Sequence, residues 1–186
     1  MHKSLLLCLL IVANTASAQV SEHLDYTYYT AQADANSSLR EALNKVTPIL
    51  VDNNSFHGYT KWNVKWHYRW FEQADGRCKM TTVTTDLTGN ITLPELVGAT
   101  AEQAAAFNRY VSALRVHELG HYDIGRKTAT AIDNGILALP AMSSCKALEA
   151  TANALGYQTL DDYKAREKQY DAETNHGKTQ GASLDR

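Results

Sequence analysis

Apolar and polar residues alternate strictly between Thr60 and Phe71, with Trp62, Val64, Trp66, Tyr68 and Trp70 on one side and Asn63, Lys65, His67 and Arg69 on the other. A period of two marks a half-buried strand, so this stretch predicts a strand whose aromatic side faces a core. Ala74-Asp75-Gly76 has turn chemistry, and Cys78 to Leu87 follows as a threonine-rich partner. The pair predicts an antiparallel hairpin. Thr88-Gly89-Asn90 predicts another turn, before a short strand Ile91-Thr92-Leu93 that ends at Pro94. Upstream, aromatic and β-branched residues over 25–30 suit a first strand, and Ser38-Leu39-Arg40-Glu41 has the form of a capping box. Leu39, Ala42, Leu43 and Val46 then repeat at helical spacing until Pro48.

From Thr100 the period changes to that of a helix, opened by the capping box Thr100-Ala101-Glu102-Gln103 and unbroken until Pro140. At ~100° per residue, Phe107, Val111, Leu114, Glu118, His121, Gly125, Ala129, Ile132, Ile136 and Leu139 share one face. Asn108, Arg109, Ser112, Arg115, Asp123, Arg126, Lys127, Thr130, Asp133 and Asn134 fall on the other. Beyond Pro140, Ser143 or Ser144 is placed to cap a helix through Leu155 with Gly156 as its terminator, and Thr159 to start a charged helix to about Tyr170. The fold class is therefore α+β. A sheet-rich half with a short helix, taken as an antiparallel sheet over 19–95, packs on a helical half over 96–186.

Met-His-Lys, the apolar run Leu5 to Ala13 and Ala16-Ser17-Ala18 form the three parts of a secretory signal peptide over residues 1–18. The run is shorter than the ~20 residues a membrane span needs. Residues 19–186 suffice for one domain and carry no membrane span. The expected location is periplasmic or extracellular. A net charge of −2 without a basic block argues against nucleic acid. Loss of Cys8 with the leader leaves Cys78 and Cys145, and an oxidising compartment predicts a disulfide between them.

Against that background the segment His117-Glu118-Leu119-Gly120-His121 gains meaning. HExxH on a helix sets two imidazoles one turn apart to hold Zn²⁺, with a glutamate as general base. Glu118 and His121 interrupt a stripe that packs against the core, and an unpaired buried carboxylate costs several kcal/mol. A cation compensates both, and His117 sits at the edge of the same stripe. A hydrolytic zinc needs a third protein ligand. The metzincin extension would require a glycine at 124 and a histidine at 127, where Ile124 and Lys127 stand. Asp123 points roughly 160° away from His121. Glu149, Asp171, Glu173 and His176 remain as candidates. His23, His57 and His67 are read as solvated.

The leader, Trp62-x-Val64-x-Trp66-x-Tyr68, Cys78, Leu93-Pro94, the HExxH segment and the closing Tyr170-Asp171-x-x-Thr174-x-His176-Gly177-x-x-Gln180-Gly181 together resemble the bacterial domain-of-unknown-function 922 family, described as predicted secreted zinc-dependent proteases. The resemblance implies a zincin-like metallopeptidase acting on peptide or protein. It selects His176, in the closing motif, as the third ligand, with Glu149 as runner-up. In the expected mechanism zinc acidifies its water, Glu118 takes the proton, and hydroxide attacks a scissile carbonyl. Tyr170 and Tyr122 are the candidates to steady the developing oxyanion, and peptide is expected along a sheet edge above the active-site helix. The alternative is a non-catalytic zinc-binding envelope protein whose site is structural or carries metal.

Overall fold

The computed structural model describes residues 17–34, 37–51 and 53–184. The predicted leader, residues 1–18, lies outside them except for the backbone of Ser17 and Ala18. Three strands form the main sheet: β1 (Ser17–Gln32), β4 (Tyr59–Glu72) and β5 (Cys78–Val97), in the order β1-β5-β4. Between β1 and β4 come α1 (Leu39–Val46) and a small antiparallel pair, β2 (Ile49–Val51) and β3 (Asn54–Phe56). Two long helices follow, α2 (Ala101–Leu137) and α3 (Cys145–Thr174), and a 3₁₀ turn at Lys178–Gln180.

The fold is α+β, with the main sheet laid down before the two long helices. The sheet is mixed rather than antiparallel. β4 and β5 form the expected antiparallel hairpin, but β1 runs parallel to β5, Ser17 opposite Thr82 through Gln32 opposite Val97. That pairing joins segments separated by 65 positions with no turn between them, so no local signal reveals its direction.

Two predicted breaks are absent. Gly89 lies inside a continuous β5, where a β-carbon would stand 2.6 Å from the Tyr122 ring, and Gly156 lies inside a continuous α3, where it would stand 2.6 Å from Trp66. Both glycines are notches for aromatic rings. Pro94 is tolerated in β5 because β4 has already ended, its last pair being Tyr59 with Thr92. The ladder slips once, at Arg69/Trp70, where Thr81 is the extra residue and its hydroxyl donates to the Arg69 carbonyl at 3.0 Å.

The α1 and α2 capping boxes form as predicted, at Ser38/Glu41 and Thr100/Gln103, and Ser144 caps α3. The aromatic side of β4 faces the core, with Val64 buried and Trp62, Trp66 and Tyr68 half-buried, except for Trp70, which lies past the register slip and is exposed. On α2 the stripe from Phe107 to Ile136 is buried largely as predicted, and Tyr110, His117, Tyr122 and Thr128 join it. Asp133, assigned to the polar face, is also buried, because its carboxylate accepts from the Thr85 hydroxyl at 2.8 Å. Helix α2 spans two apolar clusters. One holds Tyr122 to Ile136 with β5 and the start of α3; the other holds Phe107, Tyr110 and Leu114 with Leu43, Ile91 and Leu93. The HExxH segment lies at the boundary between them. Cys78 and Cys145 are bonded, with Cα atoms 4.9 Å apart. Among the described residues no helix is long and apolar enough to cross a membrane.

Candidate metal centre

His117, Glu118 and His121 are all buried, at 3%, 4% and 8% exposure. The last turns of α3 pack against this part of α2, and they do so because residue 120 has no side chain: a β-carbon on Gly120 would lie 2.0 Å from the Tyr170 hydroxyl. With Tyr170 seated there, Asp171 reaches the histidines. Its Oδ1 is 3.0 Å from His121 Nε2 and 3.3 Å from His117 Nε2, and the two Nε2 atoms are 3.3 Å apart.

That triangle has the dimensions of a metal site. Zinc–nitrogen bonds of about 2.0–2.1 Å at tetrahedral angles separate neighbouring ligand atoms by about 3.3–3.4 Å. Two imidazole nitrogens and a carboxylate oxygen pointed at one spot need a proton or a cation among them, since each presents a lone pair. Without a metal, protons fill the role. Burial opposes a charge on His121, but its contacts with Asp171 and with Glu167, whose Oε2 is 3.4 Å from Nδ1, hold its pKa up at about 10. Asp171 is held below the usual carboxylate range, the contacts with His117 and His121 outweighing its burial. Glu167 is itself fixed by the Trp62 indole N–H, which donates at 3.1 Å. This carboxylate behind a histidine orients the ring so that Nε2 faces the site.

Glu118 stands outside the triangle. Burial raises its pKa, partly offset by the Thr60 hydroxyl, which donates to Oε2 at 2.7 Å. It lines a cavity of about 820 Å³ together with both histidines, Asp171, His176, Gly58 and the first residues of β4, Tyr59 and Thr60.

His176, expected as third ligand, lies beside the triangle and outside the three-atom group. Its Nδ1 is 3.5 Å from Asp171 Oδ1, its side chain is half exposed, and its ring packs on Phe56. Glu149 is on the far part of α3, near Tyr68, and Glu173 is bound to Gln169. Neither tyrosine reaches the cavity: the Tyr170 hydroxyl donates to the His117 carbonyl, and that of Tyr122 to Glu22. His23 and His67 are exposed, as predicted. His57 is not: it is buried, with Nδ1 2.7 Å from the Tyr110 hydroxyl and Nε2 2.7 Å from Asn44 Oδ1. A second grouping, Glu72 with Cys78 and Cys145, offers no thiolate because the cysteines are bonded to each other.

Thr60 and Glu167 were missed at the level of sequence. One signal was available. Glu167 and Asp171 are spaced i, i+4 on α3, the same spacing as His117 and His121 on α2, so two helices each present a pair of ligand-type side chains on one face.

A family model described as a bacterial protein of unknown function (DUF922) matches residues 26–177. No curated protein and no solved structure matches the chain.

Proposed function

The chain belongs to the DUF922 family of bacterial proteins, and from that premise we propose that it is an exported, zincin-like zinc peptidase in which His117, His121 and Asp171 hold the metal and Glu118 is the general base. The observation that carries this reading is the meeting of His117 Nε2, His121 Nε2 and Asp171 Oδ1 at zinc-ligand spacing, beside a buried glutamate on the wall of an open cavity. When bound, zinc supplies a Lewis acid for a carbonyl oxygen and acidifies water. Glu118 takes the proton. Its burial raises the carboxyl pKa towards the working pH of a general base, and Thr60 holds one oxygen so that the other is aimed. Peptide fits along β4, which is an edge of the sheet and whose first residues line the cavity. The bonded cysteines and the predicted leader support export.

The other reading, a zinc-binding envelope protein without turnover, draws on the same triangle and does not use the cavity or Glu118. Purified protein assayed for zinc content and for cleavage of an unstructured protein separates the two. Glu118→Gln is expected to keep its zinc and lose at least ~10²-fold in turnover. Asp171→Ala is expected to lose zinc, and His176→Ala to retain it. Zinc without cleavage in the wild type would establish the envelope protein, and zinc lost from His176→Ala but kept in Asp171→Ala would restore His176 as the ligand.

A further inference from the structure

His117 is enclosed on its outer side by one continuous stretch of chain. The Tyr170 ring lies parallel to the imidazole, centroids 5.1 Å apart at 11°. Gly177 abuts the ring so closely that a β-carbon there would be 3.0 Å from His117 Cβ and Cγ. Three successive left-handed residues, Asn175, His176 and Gly177, reverse the chain after α3. The 3₁₀ turn Lys178–Gln180 is thereby brought back over the histidine, and Gln180 Oε1 comes to 3.0 Å from His117 Nδ1. Two of those left-handed residues carry side chains, a conformation that persists only where surrounding contacts hold it.

The Gln180 amide is tied to Tyr170, whose hydroxyl is nearer the amide nitrogen (3.0 Å) than the amide oxygen (3.4 Å). Its Nε2 donates to the Tyr170 hydroxyl at 3.0 Å, and that hydroxyl donates to the His117 carbonyl at 3.2 Å. The amide oxygen is left facing Nδ1, and an oxygen there can only accept. Thr174 Oγ1, 3.4 Å from the same nitrogen, has its hydrogen engaged with the Tyr170 carbonyl at 2.7 Å, so it accepts as well. Nδ1 therefore carries the hydrogen of His117, and Nε2 keeps its lone pair towards His121 and Asp171.

We propose that Gln180 is the positioning residue of His117. By accepting from Nδ1 it selects the tautomer and ring angle that present Nε2 to the metal, and the docked segment 174–182 acts as a latch without which the centre is incomplete. This rests on the metal reading above. It makes the two histidines unequal, His121 backed by a carboxylate and His117 by a neutral amide.

The test compares wild type, Gln180→Met, which keeps length and loses the acceptor, and Gln180→Glu, which keeps an acceptor. Zinc affinity is read by chelator competition, the His117 tautomer by ¹⁵N NMR of the metal-free protein, and folding by thermal melting. Gln180→Met is expected to bind zinc about 10–100-fold more weakly, the usual effect of losing such a partner. Gln180→Glu is expected to stay within a few-fold of wild type, and metal-free wild type to show the hydrogen on Nδ1. Equal affinity in a folded Gln180→Met, or the hydrogen on Nε2 in wild type, overturns the proposal. Should Gln180→Met not fold, the wild-type spectrum and Gln180→Glu decide in the same way, a Glu variant as weak as a lost acceptor counting against it. Should wild type take up no zinc, the metal reading falls by itself, and the tautomer still decides the role of Gln180.

Discussion

His57 Nε2–H donates to Asn44 Oδ1 and Nδ1 pairs with the Tyr110 hydroxyl, so the neutral imidazole is satisfied at both nitrogens. Burial, with the positive charge of Arg40, pulls its pKa down to about 4. The unfolded chain binds a proton below about 6.5, where folded His57 still refuses one. Stability therefore falls as pH drops from about 6.5 to about 4, by roughly 2 kcal/mol from this residue after allowance for partial solvation, and the contribution is nil above that window. Urea unfolding at pH 7.5, 6 and 5 is expected to show a steeper acid loss in wild type than in His57→Gln. Identical slopes would show that His57 is not the group responsible. In the sequence His57 stands in unpatterned surroundings, and its partners come from α1 and α2. A histidine read without its neighbours defaults to solvent, which is why this one was misread.

At the scale of elements, helix α2 was legible almost to its ends, because a long amphipathic helix with its own capping box carries its information locally. So did β4 and the hairpin to β5. Glycine failed as punctuation. The residue marks a turn and a notch by the same letter, and at 89 and 156 only the ring arriving from a distant element tells which. Gly120 is the notch with a chemical outcome. Substituting alanine there adds intrinsic helix stability of about 1 kcal/mol, yet it collides with Tyr170 and must displace the turn that carries Asp171. Gly120→Ala is expected to melt within a few degrees of wild type while binding zinc at least ~10-fold more weakly. An unchanged affinity would mean that α3 can deliver Asp171 without Tyr170 in its seat. The carboxylate itself was legible as one candidate among four; its meeting with the two histidines depends on the docking of α3 on α2, which no spacing within either helix encodes.

Over the whole molecule, the sheet packs on α2, and α3 closes the side that carries the His117–His121–Asp171 triangle. The disulfide ties the beginning of β5 to the beginning of α3 across 67 positions. Loop-entropy arguments give such a bridge about 4 kcal/mol. Reduction is expected to lower the urea midpoint accordingly, with mass spectrometry showing the gain of two hydrogens; a midpoint indifferent to reductant would show that α3 is held by packing alone. The export route suggested by residues 1–18 agrees with a fold that uses a disulfide there. The direction of β1 was out of reach of sequence, since its pairing with β5 spans the intervening elements and leaves no turn to read.

The three-atom triangle is drawn from two helices, and its outer brace from the turn beyond the second. A chain emerging in order from His117 therefore presents two histidines long before it presents Asp171 and Gln180. A fragment severed between α2 and α3 carries half a centre on each piece. On the proposed metal reading, an ion would be captured by the finished fold rather than by the growing chain, and the capacity to bind one would itself report that folding is complete.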